Sequence, residues 1–109
     1  MENKERIKIV FYSPPSHSAL LREAIAEKGA GRIGDYSHCS FTIEGITRFK
    51  PLPGATPEHG AVGKLSEIKE DRIETFCDKT DLNNIISTIR DHHPYDEPAI
   101  DVYPVIVVE

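Results

Sequence analysis

The chain contains little cysteine, and this limits the kind of protein it can be. Its 109 residues include only two cysteines, Cys39 and Cys77. Two cysteines do not make the disulfide framework of a small secreted domain, and their separation is not that of a zinc ribbon. We therefore expect a cytoplasmic protein whose thiols stay reduced.

Two further absences exclude classes of partner. No apolar run approaches the roughly 20 residues that span a bilayer, and residues 1–8 lack the apolar segment of a signal peptide. The 13 Lys and Arg residues are outnumbered by 18 Asp and Glu residues, which gives a formal net charge of −5. Because nucleic-acid binders need a basic surface, we expect neither a nucleic-acid nor a membrane partner.

The hydrophobic pattern predicts strands and helices within a single domain of residues 1–109. Apolar and polar residues alternate in the strand segments and recur at helical spacing in the others. A Glu44-Gly45 turn would make the second and third strands a hairpin, and one long bent strand is the alternative. Pro104 predicts that the last strand lies at a sheet edge or is bent. Strands are predicted at residues 6–13, 36–43, 46–50, 70–77 and 99–108, and helices at 17–28 and 82–93.

This order of elements is the split β-α-β pattern of an α+β, ferredoxin-like fold. Two helices then cover one face of an antiparallel sheet, and the other face is open to solvent or to an oligomer partner. If the apolar strand positions face the helices, the open face is polar and becomes the natural place for function. It would carry Lys8, Tyr12, Tyr36, His38, Ser40, Arg72, Glu74, Asp101 and Tyr103.

Residues 29–34 match the G-x-G-x-x-G pattern that is associated with dinucleotide phosphates. Such a site needs a strand before the glycines and a helix after them, so that the phosphates meet a helix N-terminus. Here the predicted order is inverted, and phosphates would meet the negative end of a helix dipole. We interpret Gly29 as a helix C-cap and the segment as the entry to a strand, and we expect no nucleotide cofactor.

His38 and Cys39 are adjacent, which would place their side chains on opposite faces of a strand. Cys39 would then face the helices with Phe41 and Ile43, as a small buried hydrophobic residue. His38 would lie on the open face, where Glu74 is its expected partner. An ordinary surface or interface histidine is an equally open interpretation.

A metal site needs several convergent His, Cys or carboxylate ligands, and no compact spacing of the H-x-x-x-H kind is present. The pair His92-His93 precedes residues 94–98, a loop bounded by two prolines. This loop is either simple helix termination or a rigid holder of polar groups. The candidate ligands are His17, His38, Glu74, His93 and Glu97.

Several segments together resemble one family. They are residues 29–41 (GAGRIGDYSHCSF), Phe49-x-Pro51, Glu70-x-Arg72-Ile73-Glu74, His93-Pro-Tyr-x-Glu-Pro-Ala99 and Asp101-x-Tyr103-Pro104. The set resembles the domain inserted into YqfO-type members of the Nif-three-like proteins, which is similar in fold to the trimeric CutA and PII-like proteins. The resemblance implies that fold and a tendency to oligomerise. It also implies a set of matching polar positions: His17, Tyr36, His38, Arg72, Glu74, His93, Tyr95 and Glu97.

In the larger family members a separate domain holds a dinuclear metal site and is the part linked to hydrolase-type activity, so we do not expect that activity here. We expect a non-catalytic binding or regulatory module, a homo-oligomer with a trimer favoured, that binds a metal ion or small ligand. Zn²⁺ or Cu²⁺ suits imidazole and carboxylate ligands better than Mg²⁺. The expected metal ligands are His38, Glu74 and His93, and the supporting residues are His17, Tyr36, Arg72, Tyr95 and Glu97.

Two other classes stay open. The same polar face could be buried against another subunit or protein as a purely structural interaction surface. A small hydrolase-type enzyme is the third class, because His38 and Glu74 could act as acid and base if they converge.

Overall fold

The computed structural model describes residues 3–108 of the chain, with the side chains of residues 5–108. A 3-10 turn at Lys79–Asp81 leads into the second helix. In this part of the chain no helix is long and apolar enough to cross a membrane. The elements are β1 (Asn3–Ser13), α1 (Pro15–Ala26), β2 (Phe41–Phe49), β3 (Ser66–Cys77), α2 (Leu82–His92) and β4 (Ile100–Val108).

The four strands form one antiparallel sheet in the order β2-β3-β1-β4. Both helices connect strands that are not neighbours in the sheet, which is the ferredoxin-like arrangement. The α+β fold predicted from the order of elements is therefore confirmed. Pro104 lies in β4 at the edge of the sheet, as its missing amide donor predicts.

The core lies between the helices and one face of the sheet. Ile9 and Phe11 of β1 and Ile73 of β3 are fully buried against apolar residues of both helices, among them Leu21 and Ile85. The strand alternation leaves the intervening residues on the opposite face. Of the residues predicted for that face, the strand pairing places these six there: Lys8, Tyr12, Arg72, Glu74, Asp101 and Tyr103.

The predicted strand at residues 36–43 is wrong at its start. Residues 37–40 are not in a strand, and His38 has a φ of +63°. β2 begins at Phe41 and passes through residues 44 and 45 without a turn, so the long strand rather than the short hairpin is present.

The break at His38 also reverses the expected faces of β2. Phe41 pairs with Glu74 and Ile43 with Arg72, which places both on the face away from the helices. Phe41 is 62% exposed. The prediction that Phe41 and Ile43 face the helices is therefore wrong, because the left-handed residue interrupts the alternation on which it depended. Cys39, half-buried, lies beside α1, and both cysteines are free thiols.

The glycine segment stops α1, as predicted. Gly29 has a φ of +107°, its amide donates to the Ala26 carbonyl, and the Ala30 amide donates to the Ile25 carbonyl. These two bonds are the Schellman arrangement of a helix C-terminus. The glycines thus follow a helix and precede a strand, the reverse of the order in a dinucleotide site.

Candidate functional site: a cleft between two loops

A cleft of about 980 Å³ opens where β1 ends. Tyr12, Ile68 and Glu70 of the sheet form part of its lining. One wall is the loop that joins β2 to β3, and the other is the loop that joins α2 to β4. The volume is in the range of sites that enclose small organic ligands.

One side chain joins the two walls. The backbone amide and the hydroxyl of Thr56 both donate to Oδ2 of Asp96, each over 3.2 Å. The Thr56 amide is the main cause that holds the pKa of the Asp96 carboxyl below its usual range. The long loop after β2 is therefore tied to the proline-bounded loop at residues 94–98.

His93 fixes the base of the second loop. Its Nε2 donates to the Tyr12 carbonyl over 2.6 Å, and its Nδ1 accepts from the Tyr95 amide over 3.1 Å. These two bonds require a neutral ring with the proton on Nε2. Burial lowers the pKa of His93 and outweighs the hydrogen bond to Tyr12 and the charge of Glu70, which raise it, while the nearby His17 adds a smaller lowering. The ring also stacks obliquely on Tyr95, with centroids 4.6 Å apart.

Two buried polar atoms in the cleft lining have no partner. Glu70 is only 4% exposed, and neither its Oε2 nor the Tyr95 hydroxyl makes a hydrogen bond within the described part of the chain. Burial is the largest cause that raises the pKa of Tyr95, and the neighbouring Glu70 carboxylate adds to it. Glu70 thus influences the Tyr95 hydroxyl as an acceptor and a charge, but the two do not reach good hydrogen-bond geometry. Unpaired buried polar atoms are uncommon and costly.

The lining combines negative charge with aromatic and aliphatic surface. Four carboxylates line the cleft against a single lysine, Lys50. Among the residues described, no Lys, Arg or His forms an ion pair with Glu70. The carboxylates are those of Glu58, Glu70, Asp96 and Glu97, and the rings are those of Tyr12, Phe49, His59 and Tyr95.

The structure gathers part of the predicted binding set around this cleft. Tyr95 and Glu97 line it. Arg72 lies at its border, where its guanidinium bonds Glu74 over 3.0 Å and the Tyr12 hydroxyl over 3.4 Å.

The other two predicted binding residues lie outside the cleft lining. His17 is in the first turn of α1, bonded to Ser16 and near His93. Tyr36 is 74% exposed on a separate loop.

The three predicted metal ligands do not come together. His38 pairs with Glu23 of α1 through Nε2 over 3.2 Å and with Ser37 through Nδ1 over 2.8 Å, so it is not on the open face. Glu74 pairs with Arg72, and both ring nitrogens of His93 are used within the chain. Within residues 3–108 no group of three or more His, Cys, Asp or Glu residues could hold a metal ion.

The sequence analysis does not assign Glu70 or the long loop after β2 to a site. The alternation Glu70, Arg72, Glu74 places Glu70 on the polar face, and that signal was available. The burial of Glu70 could not be predicted, because the two loops that meet beside it are distant in sequence.

The fold and the cleft define a class: a small ferredoxin-like module with an open site at one end of its sheet. The solved structure of the periplasmic divalent cation tolerance protein CutA from Archaeoglobus fulgidus matches with a TM-score of 0.66 at 13% identity. The match covers 94% of this chain and 84% of that one. At this identity the similarity shows the fold alone, and it confirms the CutA/PII-like architecture.

Relatives by sequence are more specific. The chain is 45% identical over 98 residues to a Bacillus subtilis protein named GTP cyclohydrolase 1 type 2 homolog, covering 90% of this chain and 26% of the relative. A Bacillus cereus protein related to NIF3 has a solved structure that matches with a TM-score of 0.82 at 37% identity, over 96% of this chain and 27% of that one. No family model matches.

The chain spans about a quarter of the length of the curated relatives it matches. It is homologous to one segment of these NIF3-related proteins, and the resemblance stated from the sequence is confirmed.

Proposed function

We propose that the chain is a non-catalytic module that binds a small organic ligand in the cleft between the two loops. The observation that carries this proposal is the pair of buried, unpartnered polar atoms, Glu70 Oε2 and the Tyr95 hydroxyl, in the lining of a ligand-sized cavity. A ligand that supplies hydrogen bonds to these atoms would remove a desolvation cost that the free protein carries. His93 and the Thr56–Asp96 contact hold the walls in place for it.

Ligand-detected NMR with pools of cellular small molecules tests this function, followed by mapping of the amide shifts that each hit causes. Ile68→Trp fills the cleft and should abolish those shifts, because its side chain occupies the ligand's space. Leu20→Trp introduces the same ring on α1, outside both the cleft lining and the sheet edges, and should leave binding intact. Compounds that bind equally to both variants, or that shift the amide resonances of residues outside the cleft, contradict the proposal.

A divalent metal is the other ligand class expected from the sequence, as Zn²⁺ or Cu²⁺ at His38, Glu74 and His93. Each of these side chains already has a partner within the chain, so binding would have to break those contacts. We expect a metal titration to cause no shift common to the three residues. A saturable shift of all three would favour the metal site over the cleft.

The same proposal includes a homo-oligomer, with a trimer favoured, acting in the cytoplasm. The two edge strands support it, because both expose apolar side chains and unpaired backbone groups. Pairing the β2 edge of one copy with the β4 edge of the next is a head-to-tail contact, which closes into a ring when its rotation permits. The exposed edge residues include Phe41, Ile43 and Ile46 of β2 and Val102, Ile106 and Val108 of β4.

We do not assign an activity. The cyclohydrolase in the relatives' name belongs to proteins of which this chain spans about a quarter. His38 and Glu74, the candidate acid and base, pair with Glu23 and Arg72, respectively.

A further inference from the structure

We infer that the ligand of the cleft is an organic cation with N–H donors on a flat apolar body, such as an amidinium or a protonated amine. This inference rests on the proposed function and names the class of ligand. It starts from Glu70, a carboxylate that is 4% exposed and has no ion-pair partner among the described residues. A buried charge is normally paired, because the cost of removing it from water is otherwise uncompensated.

The missing partner must be able to donate hydrogen bonds and carry positive charge. Oε2 of Glu70 is buried and unbonded in a residue that lines the cleft, so it can accept from an N–H group that displaces the side chains covering it. The Tyr95 hydroxyl, also unbonded, can accept from a second N–H. A bound cation would therefore satisfy both atoms at once, which an anion or a purely apolar molecule cannot do.

The rest of the lining favours the same class. Glu58, Asp96 and Glu97 add negative charge to the lining, which contains one lysine, Lys50, and has Arg72 at its border. This excess attracts cations and repels phosphates and carboxylates. The lining also includes the rings of Tyr12 and Phe49, side chains of the kind that make cation–π contacts with a charged group and apolar contacts with a flat ring.

A counter-charge could also come from a Lys or Arg of a second copy of the chain. In that alternative the substitution of Glu70 weakens the assembly of subunits. If Glu70 instead binds a cationic ligand, the substitution weakens ligand binding. The solution mass of Glu70→Gln separates the two, because a subunit contact at Glu70 would lower the mass of the assembly on substitution.

Three probes of nearly the same shape test the inference by calorimetry and amide-shift mapping: benzamidine, benzamide and benzoate. We expect benzamidine to bind with shifts at the cleft, benzamide to bind at least about tenfold more weakly, and benzoate to bind weakest of the three. Glu70→Gln should weaken the binding of benzamidine at least about tenfold and leave the affinity for benzamide nearly unchanged. Glu67→Gln, on the same strand but outside the cleft lining, should bind all three probes as the unsubstituted chain does.

The outcomes separate this inference from the proposed function. Equal or tighter binding of benzamide or benzoate at the cleft overturns the cation assignment but keeps a ligand site. Benzamidine binding that Glu70→Gln does not change, or a lower solution mass for that variant, also overturns it. Absence of cleft shifts with all three probes at millimolar concentration, together with no hits from the metabolite pools, overturns both.

Discussion

At the scale of single residues, Gly31 shows how tightly the glycine segment is packed. A Cβ on Gly31 would overlap the carbonyl oxygen and the amide nitrogen of Cys39, and its φ of +77° disfavours any other residue. The Gly31 amide donates to the Phe76 carbonyl, and its carbonyl accepts from the Cys39 amide. Gly31 therefore ties the segment after α1 to the sheet.

We predict that Gly31→Ala destabilises the protein by about 2 kcal/mol or more, because the left-handed strain adds to a clash with backbone atoms. Gly34→Ala is the matched control, since Gly34 also has a positive φ but has open space where its Cβ would lie. Gly34→Ala should lower the free energy of unfolding by about 1 kcal/mol, because it introduces only the backbone strain. Urea unfolding measures both, and equal losses would contradict the packing at Gly31.

The lowered pKa of His93 predicts how the stability of the protein depends on pH. Its pKa is lowered in the folded chain, so between that pKa and the ordinary value the unfolded chain binds more protons. The free energy of unfolding should therefore fall as the pH drops below about 6.5, and the contribution of His93 is complete above that pH.

His93→Gln should remove this part of the pH dependence and lower stability by about 1 to 3 kcal/mol, because the hydrogen bonds to Tyr12 and Tyr95 are disturbed. His92→Gln, in the exposed last turn of α2, should keep the pH dependence of the unsubstituted chain. Urea unfolding between about pH 5.5 and 8 measures it. A stability that rises as the pH falls would contradict a neutral, buried His93.

At the scale of elements, the proposed trimer depends on the two edge strands of the sheet. Ile106 of β4 is 72% exposed on an edge that is unpaired within the chain. We predict that Ile106→Lys lowers the solution mass from a trimer toward a monomer, because a charge would be buried at the edge-to-edge contact.

Val62→Lys places the same charge on an exposed apolar residue of the long loop and should not change the mass. Light scattering after size exclusion measures it. A trimer that survives Ile106→Lys would move the interface away from β4, and a monomeric unsubstituted chain would contradict the oligomer altogether.

Most elements could be predicted because their signals are local. The alternation in β1 and β3, the helical stripe of α2, the stop at Gly29 and the edge position of Pro104 each depend on a few neighbouring residues. The start and the faces of β2 could not be predicted correctly. The left-handed residue at His38 reverses the alternation, and no local sequence pattern indicates it. Because the backbone at His38 is left-handed, Phe41 lies on the open face and the His38 side chain lies beside α1.

At the scale of the whole molecule, the proposed ligand site depends on contacts between distant segments. Tyr95 and Glu97, which the sequence predicts as binding residues, lie on the proline-bounded loop that forms one wall of the cleft. Glu70 was missed, since its burial arises only when residues 49–59 and 95–99 meet over the end of β1. His38, Glu74 and His93 each have a different partner within the chain, and these partners follow from the fold rather than from the residue types.

A carboxylate that is kept buried and unpaired for a cationic ligand should destabilise the protein while that ligand is absent. The free energy of unfolding tests this when it is measured for Glu70→Gln and for the unsubstituted chain, each with and without saturating benzamidine. Without the probe, Glu70→Gln should be the more stable by about 1 kcal/mol or more, because an uncompensated charge is removed from the interior. With saturating benzamidine, the unsubstituted chain should gain at least about 1.4 kcal/mol more than Glu70→Gln does, which corresponds to a tenfold difference in affinity. A Glu70→Gln that is less stable without the probe, and that benzamidine stabilises as much as it stabilises the unsubstituted chain, would contradict a carboxylate held for a cationic ligand.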